Sequence, residues 1–213
     1  MNIAKVIVNE QSSIRVDAEN KLYFDPFNLP DEPQNADIVL ITHEHYDHFS
    51  PKDILKASNE KTIFIVPQSM KHTFCKKCDV PMQRVYPMIG GQTAIIAGVP
   101  IQAIAAYNIN KPFHPRSNGW LGYVTEVEGS KLYVCGDTDD TTEARAVKCD
   151  IVCVPIGGTY TMDAREAASF VNSIRPRIAV PVHYGAVVGK PSDADTFEKL
   201  VYKNIPVCRK LFF

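Results

Sequence analysis

The chain has 213 residues, 45% of them hydrophobic, with 23 basic and 24 acidic side chains and a net charge of −1. That length suits one domain, spanning 1–213, with a substantial core, and so even a balance offers no field, basic block or arm for gripping nucleic acid. No apolar run reaches the roughly 18 residues that span a bilayer, and Met1 to Val8 lacks a secretory pattern, so a cytoplasmic protein with a small-molecule substrate is expected, with no membrane or nucleic-acid partner.

Short strand-like runs come first in chain order, at 4–8, 13–16 and 21–24, followed by the apolar Ile38-Val39-Leu40-Ile41. Strands with no helix between them imply an antiparallel or mixed sheet. Ser50-Pro51-Lys52-Asp53 then reads as a helix start, with Ser50 as N-cap, Pro51 at the first helical position and Asp53 in the capping-box place. A strand over 62–66 and a helix over 67–77 lead into β-rich sequence through 95, 101–107, 120–127 and 131–135. The last third reads as strand 151–155, helix 163–174, strand 177–181, helix 192–203 and a short strand near Val207. Asp163 and Glu166 form a capping box for the first of these helices, and Arg175-Pro176 ends it. This order predicts two sheets packed face to face with helices outside.

The segment after the fourth strand carries the strongest chemical signal. Thr42-His43-Glu44-His45-Tyr46-Asp47-His48 holds three of the chain's six histidines, and the helix start at Ser50 marks it as loop rather than helix. A solvated polar loop is the plain alternative, but neutral imidazoles and a carboxylate suit Zn, Mn, Fe or Ni. Four such groups are too many for one open metal site, so two metals are implied. Three weaker signals also follow strands: Gly136-Asp137-Thr138, Pro181-Val182-His183-Tyr184-Gly185, and His114 in the irregular 108–119 segment. Long structureless loops in compact domains are usually functional. The six cysteines are expected as thiols. Cys75 and Cys78, with His72 nearby, lack the second ligand pair of a structural zinc site, and Cys135, Cys149 and Cys153 lie in or beside core strands.

A strand followed by His-x-His-x-Asp-His, a later Gly-Asp-Thr and a final strand-end His resembles the metallo-β-lactamase superfamily. Ser12-Ser13-Ile14-Arg15, Tyr23-Phe24-Asp25-Pro26-Phe27, the 155–162 stretch and Pro181 to Gly185 resemble, more narrowly, its subgroup with ascorbate-6-phosphate lactonase and N-acylphosphatidylethanolamine phospholipase D-like enzymes. The resemblance implies an α+β fold, a four-layer αββα sandwich with metals at one edge, which agrees with the element order. It also implies a metal-dependent hydrolase acting on a small ester, lactone or phosphoester. His43 and His45 would hold one metal, Asp47 and His48 the other, with His183 completing the second site and Asp137 between them. The family's third histidine of the first site aligns with Asn108, so either His114 folds back to serve, the favoured choice, or Asn108 or water fills the place.

Two divalent cations, zinc first among them, would activate a water against a polarised carbonyl or phosphoryl group. Asp47 could act as ligand or as catalytic base. Asn108, Lys111, Arg116 and Tyr184 are candidate substrate-binding residues, against the alternative that the two cations are ordinary surface groups. A non-catalytic metal-dependent sensor and an RNA-processing nuclease of the same superfamily are the rival functions, and homo-oligomerisation is left open.

Overall fold

Alternating side chains of the early strands face two different cores, and this sets the layering. In the computed structural model, which describes residues 1–213, Ile38 and Leu40 of β4 (Ile38–Leu40) enter one buried cluster while Val39 and the following Ile41 enter another. The same split holds for Leu22 and Phe24 against Tyr23 on β3 (Lys21–Phe24), and for Ile65 against Phe64 and Val66 on β5 (Ile63–Pro67). A strand apolar on both faces is one covered on both faces. The outer cluster is closed by Ile54 and Ala57 of α1 (Pro51–Ala57) and by Phe74 and Cys78 of α2 (Lys71–Cys78).

The first sheet has six strands in sequence order, adding β1 (Val6–Val8), β2 (Ile14–Asp17) and β6 (Val85–Met88) to those above. It is antiparallel from β1 to β3 and parallel from β3 to β6. The second sheet, also six-stranded, runs β12-β11-β10-β9-β8-β7, from β7 (Thr93–Ile96), β8 (Val99–Ala105), β9 (Leu121–Val127) and β10 (Ser130–Val134) to β11 (Ile151–Pro155) and β12 (Ile178–Val182). Its β7 to β10 portion is antiparallel and its β10 to β12 portion parallel. The inner cluster joins both sheets and continues to α3 (Thr142–Arg145), α4 (Ala164–Ile174) and α5 (Asp193–Leu200), giving the four-layer αββα sandwich.

Several boundaries differ from the sequence reading, each for a local reason. Residues 3–5 form a 3-10 turn because the Asn2 side chain accepts the Ala4 N–H at 3.0 Å. The last helix stops at Leu200 because Asn172 bonds both the Leu200 carbonyl (3.0 Å) and the Tyr202 N–H (2.8 Å). Val207 makes only an isolated bridge to Ala179. Ser50 caps α1, but Asp53 does not close the box. Its carboxylate accepts the Ser50 hydroxyl (2.7 Å) and the backbone N–H groups of Asn28 and Leu29 (both 3.1 Å), fastening the loop after β3 to the helix. Asp163 and Glu166 do form a reciprocal capping box.

Phe74 ties the outer layer to the histidine-rich loop. Its ring packs on Phe49 (5.6 Å between centroids) and Phe64 (5.2 Å) and is fully buried, and Phe49 directly follows His48. Phe74→Ala is expected to cost about 3–5 kcal/mol of stability, the usual range for a buried aromatic. Denaturant unfolding that shifts by less than about 1 kcal/mol would show that the α2 layer collapses into the gap.

Candidate metal centre

Four strand ends converge on one edge of the sandwich. Ile41 still bonds to the Ile65 carbonyl, and then the chain turns sharply, with the His48 and Phe49 N–H groups donating to the His45 carbonyl at 3.0 and 2.8 Å. This turn brings His43 Nε2 within 3.0 Å of His45 Nδ1 and sets the His43 ring beside that of His48, 4.0 Å between centroids and tilted by 43°. Asp137 reaches the same place through Gly136, whose φ is 65° and where a Cβ would lie 2.8 Å from the Leu121 carbonyl and 3.2 Å from Thr42 Cβ. Only glycine allows that approach. His183 follows β12 at φ 56°, with its N–H on the Gln11 carbonyl at 3.0 Å. Its own carbonyl lies against Gly157, where a Cβ would sit 2.3 Å away.

The ligand atoms fall into two groups, His43, His45, His114 and Asp137 in one and Asp47, His48 and His183 in the other, each drawn together within 4.8 Å. Asp137 stands between them. Its Oδ2 lies 3.3 Å from His114 Nε2 and 3.2 Å from His183 Nε2, and its Oδ1 lies 3.3 Å from His48 Nε2. Asp47 Oδ2 is 3.6 Å from His48 Nε2 and 3.4 Å from His183 Nε2.

Buried partners behind the rings fix which nitrogen faces inward. Asp25, fully buried, accepts from the Thr42 N–H (2.8 Å), the Thr42 hydroxyl (2.6 Å) and His48 Nδ1 (2.8 Å). Because the Thr42 hydroxyl donates to Asp25, its oxygen is free to accept from His43 Nδ1 at 2.9 Å. Asn108 Oδ1 lies 3.1 Å from both the His114 N–H and His114 Nδ1, and Asn108 Nδ2 donates to Asp139 (3.1 Å) and to the Tyr160 carbonyl (2.9 Å). These acceptors take a proton on Nδ1 of His43, His48 and His114 and turn Nε2 inward, the atom through which the neutral rings would ligate a metal.

Electrostatics and unmet hydrogen bonding test whether cations suit this set. His48 Nε2, His114 Nε2, Asp137 Oδ1 and both His183 ring nitrogens are buried without a partner. Such a concentration of buried polar atoms without partners is costly unless something they can bind sits among them. Burial pushes the Asp137 carboxyl up, yet the His183 and His48 rings outweigh it and hold it well below the usual range. Asp47 is likewise lowered to about 2, burial being overcome by the close approach of the His183 and His48 rings. Burial would lower His183, but Asp137 and Asp47 raise it to about 9. His43 and His45 are lowered, first by burial, and so remain neutral donors. Two carboxylates and five imidazoles arranged this way fit two divalent cations.

The structure thus brings together His43, His45, Asp47, His48, His114, Asp137 and His183. His114 and Asn108, alternatives in the sequence, act in series, with the imidazole facing the centre and the amide behind it. Lys111, Arg116 and Tyr184 lie elsewhere. Lys111 Nζ is held by Asp139 (2.6 Å) and the Thr161 carbonyl (2.9 Å), Arg116 pairs with Glu143 (2.5 Å), and Tyr184 is buried against Phe213. Sequence reasoning assigned no role to Asp25, Thr42 or Asp139, nor to Gln11, whose amide donates to Asp47 at 3.3 Å. The single tryptophan, Trp120, packs 5.0 Å from His43 and 4.9 Å from His45 between centroids. The pointer to Asp25 in the sequence was its place in Tyr23-Phe24-Asp25-Pro26-Phe27, directly after a strand and within a stretch that carries the family resemblance.

The centre opens into a cavity of about 500 Å³. His45, Asp47, Asp137 and His183 form its floor, and Tyr46, Phe113, Tyr160 and Val187 its rim.

Comparison with known proteins identifies the family. Residues 9–183 match the Beta-lactamase superfamily domain. A UPF0173 protein of Pyrococcus furiosus is 33% identical over 200 residues, covering 88% of this chain and 85% of that one. A UPF0173 metal-dependent hydrolase of Nitratidesulfovibrio vulgaris is 31% identical over 188 residues, covering 84% of this chain and 75% of the relative. Among solved structures, a protein of Parabacteroides distasonis named as a metal-dependent hydrolase superposes with a TM-score of 0.79 at 27% identity, covering 97% and 93% of the two chains. The chain therefore belongs to the metallo-β-lactamase superfamily.

Proposed function

We propose that the protein is a metal-dependent hydrolase that holds two divalent cations and cleaves a small ester, lactone or phosphoester. The observation that carries the proposal is the position of Asp137, buried between two clusters of inward-facing nitrogens, several of them without partners. His43, His45 and His114 would hold one cation, and Asp47, His48 and His183 the other, with Asp137 shared. When bound, such a pair supplies Lewis acidity and makes water a usable nucleophile near neutral pH.

The chain's own residues orient the reaction. Asp25 through Thr42 and His48, and Asn108 through His114, hold the imidazoles at fixed angles, so little reorganisation accompanies the chemistry. Asp47, held at about 2, is a weak base at neutral pH. That supports a role in ligation and in directing a water proton through Oδ2 rather than in removing it outright. No Lys or Arg lines the cavity, which favours a small substrate over a polyanion such as RNA.

The test is hydrolysis by chelator-stripped protein reloaded with Zn²⁺ or Mn²⁺, on γ-butyrolactone, 4-nitrophenyl acetate and bis(4-nitrophenyl) phosphate, beside His114→Ala. Activity that tracks bound metal, with His114→Ala losing one metal and at least about 100-fold in rate, is expected; this exceeds the 10–100-fold typical of outer hydrogen-bond partners. Turnover that survives complete metal removal would contradict the reading.

A further inference from the structure

The rim of the cavity is unlike its floor. Tyr46, Phe113, Tyr160 and Val187 are 66%, 42%, 37% and 41% exposed, large apolar side chains that the fold leaves outside its core. They arrive from four separate segments, which follow β4, β8, β11 and β12, yet surround one opening. Apolar groups converging from distant segments around a polar floor are the usual make-up of a ligand site rather than of scattered surface exposure.

Three of the four rim side chains are held in place before any ligand arrives. Phe113 and Tyr160 pack edge to face, 4.7 Å between centroids at 82°, and Tyr46 rests against Phe27 at 6.1 Å and 72°. The turn carrying Tyr160 is pinned by Asn108 Nδ2 on the Tyr160 carbonyl (2.9 Å), the same amide whose oxygen orients His114. One side chain therefore ties the Tyr160 turn to the metal-facing imidazole of His114.

Charge points the same way. No Lys or Arg lines the cavity. The basic side chains of the 108–119 loop are already committed, Lys111 to Asp139 and Thr161, Arg116 to Glu143. An anionic group carried on the far side of the scissile bond would find no cation at the rim and would lie against aromatic rings.

We infer that the rim formed by Tyr46, Phe113, Tyr160 and Val187 selects a substrate whose substituent beyond the scissile bond is an uncharged aryl or comparably bulky apolar group, and excludes one ending in an anion. The inference rests on the hydrolase reading for which bond is cut, but the binding it describes is separable from turnover.

Three acetates isolate the effect because they share the same scissile bond: methyl acetate, benzyl acetate and 4-(acetoxymethyl)benzoate. The metal-loaded protein is expected to show kcat/KM for benzyl acetate about 10- to 100-fold above that for either of the others, the range that an apolar pocket contact supplies. Tyr46→Ala and Phe113→Ala are expected to cut the benzyl-to-methyl ratio at least about 5-fold, with bound metal unchanged. Binding of N-benzylacetamide, followed by saturation-transfer NMR, should be strong on the aryl protons and lost in the Tyr46→Ala/Phe113→Ala double variant. Preference for the benzoate, a benzyl-to-methyl ratio unaltered by both substitutions, or equal amide binding by the double variant would overturn the inference. If no acetate is cleaved but the amide binds and the double variant loses it, the rim assignment stands and the choice of bond fails instead.

Discussion

Asp137→Asn is expected to reduce bound metal from two ions per chain to one or fewer and to lower kcat/KM roughly 1,000-fold. The fold-change corresponds to several kcal/mol of metal assistance at about 1.4 kcal/mol per decade. The reason is position. Asp137 is buried, its two oxygens lie within 3.3 Å of His48, His114 and His183, and its carboxyl is held ionised by the last of these and by His48. The amide keeps the volume and removes the charge, and it turns an N–H₂ donor toward nitrogens that are needed as lone pairs. Metal analysis by mass spectrometry and a steady-state assay give the two readouts. Unchanged metal content would mean that the two clusters do not share this carboxylate.

Asp25→Ala is expected to have the largest combined effect on stability and metal binding. The fully buried Asp25 carboxylate satisfies the Thr42 N–H, the Thr42 hydroxyl and His48 Nδ1 at once. Removing it leaves a buried imidazole facing the carboxylates on one side and nothing on the other. Breaking one partner of a buried charged pair typically costs about 3–5 kcal/mol, and losing a hydrogen-bond partner behind a metal-binding imidazole costs about 10- to 100-fold in metal affinity. Both quantities are measurable, the first by urea denaturation of metal-free protein and the second by competition with a chromogenic chelator. Asp25→Asn should recover part of the stability, because the amide oxygen can still accept from Thr42. Metal affinity that falls while stability holds would separate orientation of His48 from support of the loop.

Much of this was legible in the chain because periodicity and ligand chemistry are local properties. Ile38-Val39-Leu40-Ile41 announces a strand covered on both faces, and the next seven residues announce ligands at its end, so β4 and its loop follow from neighbouring letters alone. The Asp163–Glu166 capping box is local too, and it forms. What escaped were relations between segments. Asn108 and His114 looked like competitors for one role, whereas the 3.1 Å contact between them makes one the support of the other. Lys111 and Arg116 looked like anion binders, but Asp139 and Glu143, 28 and 27 residues away in sequence, hold them. Asp53 had a legible place in a capping box, but a loop from 25 residues earlier took its carboxylate instead.

The central claim, two cations sharing Asp137, is tested most directly by anomalous diffraction at the metal absorption edge from crystals of the protein prepared with its metal. Two peaks per chain are predicted, one among His43, His45 and His114 and one among Asp47, His48 and His183, with the Asp137 carboxylate between them. A single peak, or density that leaves either histidine group without a metal, would contradict it.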